Sequence, residues 1–307
     1  MDALQSNRRQ FLKLFGAAAV IGGLAPEAFA KPKSTQLTIL HTNDVHSRLD
    51  PFPMDGSRNA GRGGIVRRAT LIEQIRKEQP NVLLFDAGDL FQGTPYFNLY
   101  KGEPEVQAMN RMRYDASTIG NHDFDGGMEN MVLQFGKAAF PFLIANYDFK
   151  NTAMNGRTEP YRIFRKDGLK IGVFGLGIKP EGLIPKELFK ETVYVEPVET
   201  ANAVAAVLRN EKKCDYVICL SHLGYQYNDS TVSDRVLASK TRNIDLIIGG
   251  HTHTFLDAPV NVLNQDGLPV LINQVGFAGI YLGRIDLTFE QGKAKVATDS
   301  KAVEVKS

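Results

Sequence analysis

The sequence contains no tryptophan, only two cysteines and almost no excess of either charge. Its 36 Lys and Arg residues are balanced by 34 Asp and Glu residues, which leaves a net charge of +2 over 307 residues. So small an imbalance does not indicate nucleic acid or an anionic membrane as a partner. The hydrophobic content of 43% is sufficient for a large buried core.

The two cysteines, Cys214 and Cys219, both lie in the apolar segment CDYVICL. This segment is typical of a β-strand, in which a spacing of five would direct the two side chains to opposite faces. We therefore expect two buried thiols rather than a disulfide.

Long hydrophobic runs are also missing near the N-terminus. The uncharged stretch 14–25 is well short of the ~20 residues that a membrane-spanning helix needs. It follows an arginine pair, Arg8-Arg9, and precedes Ala28-Phe29-Ala30. This order predicts a secretory signal with a small-residue cleavage site, and the arginine pair resembles the twin-arginine type. We expect residues 1–30 to be removed after export to the periplasm or another extracytoplasmic space, the alternative being an N-terminal anchor.

Residues 31–307 have the pattern of one layered α/β domain. Short apolar segments bounded by turn residues predict buried strands: QLTIL, NVLLF, PFLIA, KIGVFGL, DYVICL and IDLIIGG. Amphipathic segments at 65–78 and 200–211 predict helices between them. The last third consists of strands joined by short turns, so antiparallel pairing is expected there.

Five of the predicted strands end in polar residues of the same kinds. The groups are Asp44 with His46, Asp86 with Asp89, Asn121 with His122, His222, and His251 with His253. Of six histidines, only His41 lies elsewhere. Because ligands gather outside the carboxyl ends of strands in open α/β sheets, these loops can converge on one site. Taken singly, each residue also fits a cap, a turn or a satisfied core position.

Aspartate, imidazole and carboxamide together form a ligand set suited to Mn²⁺, Zn²⁺ or Fe. Seven candidate ligands exceed the needs of one tetrahedral ion, and two ions sharing one carboxylate would use them all. Asp86, at an odd spacing from Asp89 on the same strand, is expected to point away from this site. The glycine-rich segment GRGG at 61–64 is interpreted as a helix entry, with Arg62 as an exposed, solvated side chain.

The segments LHTNDVHSRL, DAGDLFQGTP, IGNHDFDGG, SHLG and GGHTH resemble, in order, the motifs of the calcineurin-like metallophosphoesterase superfamily, and in detail those of its 5'-nucleotidase family. The resemblance extends from Leu37 to about Phe289. It implies a four-layer α/β/β/α sandwich and a dinuclear metal-dependent hydrolase of phosphate esters, with residues 31–307 as the catalytic domain.

The resemblance also implies roles for individual residues. One metal ion would be bound by Asp44, His46, Asp89 and His253, and the other by Asp89, Asn121, His222 and His251. A water or hydroxide between the ions would be the nucleophile. His122 would face the substrate phosphate, with Asp125 as its partner. For Asp123, a turn or cap role and a supporting role in the site remain open.

One departure from the family concerns the substrate. Typical members continue into a second domain that recognises the nucleobase, whereas this sequence ends near the end of the metal domain. We therefore expect a small phosphoester substrate, with a nucleotide favoured, and a separately encoded polypeptide resembling the second domain as a partner. The alternatives are a thiohydrolase of sulfate-type substrates, a 2',3'-cyclic phosphodiesterase, and a catalytically silent metal-binding module.

Overall fold

Two six-stranded mixed sheets form the centre of the computed structural model, which describes residues 34–290, 293–296 and 300–306. The strands are β1 (Thr35–Thr42), β2 (Val82–Asp86), β3 (Ala116–Ser117), β4 (Tyr147–Asp148), β5 (Tyr161–Lys166), β6 (Leu169–Leu176), β7 (Val193–Tyr194), β8 (Tyr216–Ser221), β9 (Leu246–Gly249), β10 (Val260–Leu263), β11 (Pro269–Asn273), β12 (Tyr281–Glu290), β13 (Lys293–Val296) and β14 (Lys301–Glu304). The α-helices are α1 (Ile65–Glu78), α2 (Pro95–Tyr100), α3 (Glu103–Met112), α4 (Met128–Phe135), α5 (Lys186–Phe189), α6 (Pro197–Ala206) and α7 (Asp234–Lys240). A 3₁₀ turn covers His122–Phe124, and a π-helical turn, Val207–Glu211, follows α6.

The first sheet has the order β13-β12-β1-β2-β3, with β14 beside β12, and the second has the order β10-β11-β9-β8-β6-β5. Within the first, β1, β2 and β3 are parallel, and β12 is antiparallel to β1. Within the second, β6, β8, β9 and β11 are parallel. A separate small pair joins β4 to β7.

Three apolar clusters divide the unit Thr35–Ser307 into four layers. Leu37 and Ile39 of β1 pack with Ile218 and Ile248 of the other sheet, so the two sheets face each other. The alternating residue Leu40 points the opposite way and packs with α1, α3 and α4. On the outer face of the second sheet, α6 and α7 cover the side chains of β8 and β9. The predicted four-layer α/β/β/α sandwich is therefore confirmed.

The parallel strands of each sheet end in register. Thr42, Asp86 and Ser117 are aligned at the ends of β1, β2 and β3. In the second sheet Ser221 and Gly249 are aligned at the ends of β8 and β9. Each of these ends is followed within a few residues by one of the predicted polar groups, so the topology brings five loops to one edge of the sandwich.

The structure corrects two details of the predicted pattern. The segment PFLIA (141–145) is not a strand, because it contacts its neighbours only through isolated bridges at Phe142 and Leu143. Cys214 and Cys219 are buried and free, as predicted, but they pack in the same apolar cluster rather than on opposite faces. The reason is that Cys214 precedes β8, so strand alternation does not apply to it.

The last third was expected to be antiparallel, and β10–β11 and β12–β13 pair in that way. The exception is β11, which is parallel to β9. Among the described residues, no helix is both long and apolar enough to cross a membrane.

Candidate metal centre

Five of the predicted ligands have left-handed backbone conformations that are rare outside glycine. Their φ angles are 49° for Asp44, 52° for His46, 56° for Asp89, 72° for His251 and 52° for His253. Each such residue costs on the order of 1 to 2 kcal/mol, and this kind of strain is concentrated at functional sites. Backbone hydrogen bonds hold two of the loops together, because Asp44 N–H donates to Gly88 O (2.9 Å) and His46 N–H to Asp89 O (3.0 Å).

Six of the seven predicted ligands form two triads, each with ligand atoms within 4.8 Å of one another. The first triad consists of Asp44, His46 and His253, and the second of Asp89, His222 and His251. The seventh, Asn121, adjoins the second triad, since its Oδ1 lies 2.8 Å from Nδ1 of His251. All seven side chains thus come together from five loops.

The Asp89 carboxylate lies between the two triads. Its Oδ2 is 3.8 Å from Nε2 of His46 in the first triad and 3.1 Å from Nε2 of His222 in the second. Asp89 is almost completely buried, with 1% of its surface exposed. A carboxylate in this position has the geometry required to bridge two cations.

His222 has one ring nitrogen paired and the other directed into the centre. Nδ1 donates to the carbonyl oxygen of Ala87 at 2.6 Å, while the buried Nε2 makes no well-aligned hydrogen bond among the described residues and has Asp89 Oδ2 as a neighbour at 3.1 Å. An Nδ1–H held by a carbonyl oxygen leaves Nε2 with its lone pair available to a metal. Burial lowers the pKa of His222, but the carboxylates of Asp89 and Asp44 outweigh it and raise the pKa to about 10, so the centre strongly favours a cation at this point.

His251 and His46 favour the neutral, ligand-competent form. Burial, followed by the effect of His222, lowers the pKa of His251 to about 4, and burial also lowers the pKa of His46. Nε2 of His46 and Nε2 of His253 are only 3.0 Å apart. Two imidazole nitrogens this close to each other are well placed to bind one shared cation.

His122 begins the 3₁₀ turn beside the triads, and Asp125 directly follows that turn. Nδ1 of His122 is 2.8 Å from Oδ2 of Asp125, and the backbone N–H of His122 donates to Oδ1 of Asp89 at 2.8 Å. The hydrogen bond to Asp125 raises the pKa of His122. Since 39% of the His122 side chain is exposed, its ring remains accessible from solvent.

Asp123, whose role the sequence left open, supports the loop that carries Asp89. Its buried carboxylate accepts hydrogen bonds from the backbone N–H groups of Asp89 (3.1 Å), Leu90 (3.0 Å), Phe91 (3.2 Å) and Gly120 (2.8 Å). It therefore positions two of the five loops rather than capping its own turn.

Asp86 points away from both triads, as its odd spacing predicted. It accepts hydrogen bonds from the hydroxyls of Thr42 (2.6 Å) and Ser117 (3.1 Å) and from the backbone N–H of Gly88 (3.0 Å). It thereby joins the ends of β1, β2 and β3.

Sequence reasoning missed two residues that hold the centre in place. The Nδ2 group of Asn43 donates to Asp44 Oδ2 and to Gly276 O, both at 2.6 Å. The side chain of Gln274 spans the loop of His251 and His253 by donating to Gly250 O (2.5 Å) and accepting from the Thr252 hydroxyl (3.1 Å). Gln274 follows the end of β11, so the same strand-end signal could have identified it.

The glycine-rich segment 61–64 is a helix entry, as interpreted, because α1 begins directly after Gly64. Arg62, however, is not a solvated side chain. Its Nε donates to Glu304 at 2.7 Å, its guanidinium also reaches the Tyr281 hydroxyl at 2.6 Å, and only 20% of the side chain is exposed. The expectation of an exposed Arg62 was wrong because β14, remote in sequence, supplies an acidic partner.

Comparison with known proteins places the chain among the phosphoesterases. Residues 37–255 match the family model described as calcineurin-like phosphoesterase. The chain is 36% identical over 285 residues to the snake venom 5'-nucleotidase of Naja atra, covering 86% of this chain and 52% of the relative. It is 34% identical over 286 residues to the 5'-nucleotidase of Homo sapiens, covering 83% of this chain and 47% of the relative.

Among solved structures, the 5'-nucleotidase precursor from Thermus thermophilus superposes with a TM-score of 0.78 at 31% identity, over 88% of this chain and 55% of that one. The chain thus spans about half the length of these relatives.

Proposed function

The chain belongs to the calcineurin-like phosphoesterase family, and we propose that it is a phosphomonoesterase of 5'-nucleotidase type that uses a pair of divalent metal ions. The observation that carries this proposal is the position of the Asp89 carboxylate, which lies between two triads of metal-ligand side chains.

The donor set fits two cations. It offers a buried histidine nitrogen that makes no well-aligned hydrogen bond in the described structure, a shared carboxylate and four further imidazole or carboxylate ligands. Asp44, His46, Asp89 and His253 would hold one ion, and Asp89, Asn121, His222 and His251 the other. Such a pair supplies Lewis acidity, which lowers the pKa of coordinated water and neutralises charge on the phosphoryl oxygens. The mixed oxygen and nitrogen ligands favour Mn²⁺, Zn²⁺ or Fe over Ca²⁺ or Mg²⁺.

His122 contributes a proton and a positive charge at the open side of this centre. Its raised pKa keeps the imidazolium form available near neutral pH. Nδ1 is occupied by Asp125, so Nε2–H is the group that can donate to a phosphoryl oxygen or to the departing alkoxide. Asp125 acts through His122 by fixing the tautomer and the orientation of the ring.

The substrate that we propose is a small phosphoester, with a nucleotide favoured because the relatives are 5'-nucleotidases. Those relatives are about twice as long as the matched region. We further propose that a polypeptide resembling their remaining part acts together with this chain.

For the location of the protein we propose export by the twin-arginine route. The support is the order of Arg8-Arg9, apolar stretch and Ala28–Ala30 in the sequence. These residues lie outside the part of the chain that the structure describes.

The test is a hydrolysis screen of residues 31–307 loaded with Mn²⁺, Zn²⁺ or Fe²⁺. Nucleoside monophosphates, sugar phosphates, a 2',3'-cyclic nucleotide and an S-sulfonated thiol should be compared under the same conditions. We expect release of inorganic phosphate from monoesters, abolished by chelation and restored by metal. Faster hydrolysis of the cyclic diester, or release of sulfate alone, would assign one of the two alternative activities. Two bound ions without hydrolysis of any substrate would indicate a silent metal-binding module.

A further inference from the structure

A cavity of about 180 Å³ lies beside the first triad and is lined by aromatic rings and polar side chains. Its apolar wall consists of Phe255, Phe277 and Tyr281, and its rim includes Arg58, Asn59 and Asp257. For comparison, an apolar cavity of ~150 Å³ is sufficient to bind benzene. The cavity is therefore large enough for a planar ring.

Phe277 links this cavity to the metal centre. Its ring stacks on the imidazole of His253 with centroids 5.1 Å apart and an interplanar angle of 15°. Phe255 contacts Phe277 edge to face, with centroids 5.9 Å apart. The cavity thus begins one ring away from a predicted metal ligand.

The cavity wall is held rigidly relative to the metal centre. The backbone N–H of Ala278 donates to Asp44 O at 2.7 Å, and the side chain of Asn43 joins Gly276 O to the Asp44 carboxylate. A Cβ atom at Gly276 would lie 2.1 Å from the Phe255 ring, so glycine is required for the ring to occupy this place. Preorganisation of this kind reduces the entropic cost of binding.

The charged side chains at the rim of the cavity indicate which chemical class of ligand it can bind. Arg62 is already engaged by Glu304 and Tyr281 and forms part of the wall. Arg58 is exposed and has no acidic partner among the described residues, whereas Asp257 offers an exposed carboxylate close by. Arg58 and Asp257 together provide hydrogen-bond donors and acceptors. Because their charges cancel, they provide no net attraction for a second phosphate group on the ligand. The combination suits a neutral ring that carries nitrogen or oxygen atoms.

We propose that this cavity, lined by Phe255, Phe277, Tyr281 and Arg58, is a subsite that binds the planar aromatic part of the substrate. The inference rests on the proposed phosphomonoesterase function and adds the position of the leaving group. Phe255 is 44% exposed, so part of its ring is accessible for stacking, which accepts any base or aryl ring because every such ring has a π-face. Arg58, at the rim of the cavity, contacts the bound substrate ring through a cation–π interaction or a hydrogen bond.

The experiment compares KM and kcat for adenosine monophosphate, phenyl phosphate and glycerol 2-phosphate. We expect KM for the two ring substrates to be about 5- to 100-fold lower than for glycerol phosphate, as stacking of one ring provides. Phe255→Ala and Arg58→Ala should each raise KM for the ring substrates about fivefold or more, with kcat and KM for glycerol phosphate unchanged. Leu268→Ala, an exposed apolar position between β10 and β11, is the control and should alter neither.

Comparison of phenyl phosphate with adenosine monophosphate shows whether the cavity binds any aryl ring or a nucleobase specifically. Equal effects on phenyl phosphate and adenosine monophosphate would identify any aryl ring as the ligand, and effects on the nucleotide alone would identify a nucleobase. Identical KM values for all three substrates, unaltered by either substitution, would overturn the subsite while leaving the phosphatase proposal intact.

The cavity can be tested separately from the proposed phosphatase activity. If no phosphoester is hydrolysed, binding of adenosine, which has no phosphate, still tests the cavity by ligand-observed NMR. Saturation transfer to adenosine that is lost in Phe255→Ala and retained in Leu268→Ala would support the subsite, and absence of transfer to the unaltered protein would refute it.

Discussion

The imidazole of His122, which begins the 3₁₀ turn, is held by Asp125, the residue directly after that turn, through a 2.8 Å contact between Nδ1 and Oδ2. This contact occupies Nδ1 and leaves Nε2 as the ring nitrogen of His122 that can reach a substrate. The first prediction follows from this division of roles. His122→Asn should retain both metal ions and lower kcat by roughly 10² to 10⁴, the range for loss of an acid or charge-stabilising group.

Asp125→Asn should lower kcat less, by roughly 10- to 100-fold, since Asp125 acts through the histidine. Both losses should be smaller for p-nitrophenyl phosphate than for an alkyl phosphate, because a good leaving group needs little protonation. Equal losses for the two substrates would restrict His122 to charge stabilisation, and full activity of His122→Asn would exclude it from the mechanism.

The second prediction concerns the carboxylate between the triads. Asp89→Ala should reduce the binding of both metal ions, because both triads lose a ligand. Asp44→Ala is the matched comparison and should weaken one ion more than the other, since Asp44 belongs to the first triad only. Metal content after dialysis, measured by elemental analysis, distinguishes the two cases. One ion per chain in the unaltered protein would contradict the dinuclear centre.

The convergence of polar residues at the strand ends is the feature of the site that could be predicted from the sequence. Asp44, Asp89 and His222 each lie within three residues of the end of a buried strand, and parallel strands that end in register bring such residues together. The helix predicted at 65–78 also coincides with α1, because its apolar spacing and its glycine entry agree.

Other features depend on contacts that no local pattern contains. Asp123 serves N–H groups of residues 89–91, more than thirty positions away, so its motif alone left its role open. Asn43 and Gln274 act by joining segments remote in sequence. Similarly, Arg62 is paired by a strand that only the tertiary fold places beside it.

The third prediction uses the close approach of Gly120 to the centre. A Cβ atom at Gly120 would lie 2.2 Å from Oδ1 of Asp89 and 2.5 Å from its backbone nitrogen. Gly120→Ala should therefore displace Asp89 and lower both metal content and activity, the latter by roughly 10²-fold or more. Gly156→Ala is the control, because Gly156 has a positive φ of 72° but open space around its Cβ position. It should cost about 1 kcal/mol of stability and no activity. Normal metal content in Gly120→Ala would show that the loop adapts.

The fourth prediction addresses export. Replacing Arg8 and Arg9 by lysine should leave the precursor in the cytoplasm, because the twin-arginine type of signal depends on that pair rather than on charge alone. Lys13→Arg, which changes a nearby residue at constant charge, should be exported normally. Cell fractionation with detection of the precursor and the mature form provides the readout. Export of the double lysine variant at the normal rate would exclude this route.

The fifth prediction concerns the buried histidine outside the metal centre. His41 is fully buried on β1, where Nδ2 of Asn273 donates to its Nε2 at 2.9 Å, and burial lowers its pKa from 6.5 to about 3. Below pH 6.5 the unfolded chain therefore binds a proton at this histidine that the folded protein excludes. The contribution of His41 to stability is thus present above the unfolded pKa and is lost as the pH falls from about 6.5 towards 3.

Between pH 7 and pH 5 this single group should remove about 2 kcal/mol from the free energy of unfolding. His41→Gln abolishes the titration and should be less stable at pH 7, but its stability should fall about 2 kcal/mol less over the same interval. Urea unfolding of both proteins at pH 7, 6 and 5, with chelator present so that metal release does not contribute, measures the difference. Because every other titrating group is common to the two proteins, parallel stability curves would show that His41 takes up its proton without unfolding, and would contradict the depressed pKa.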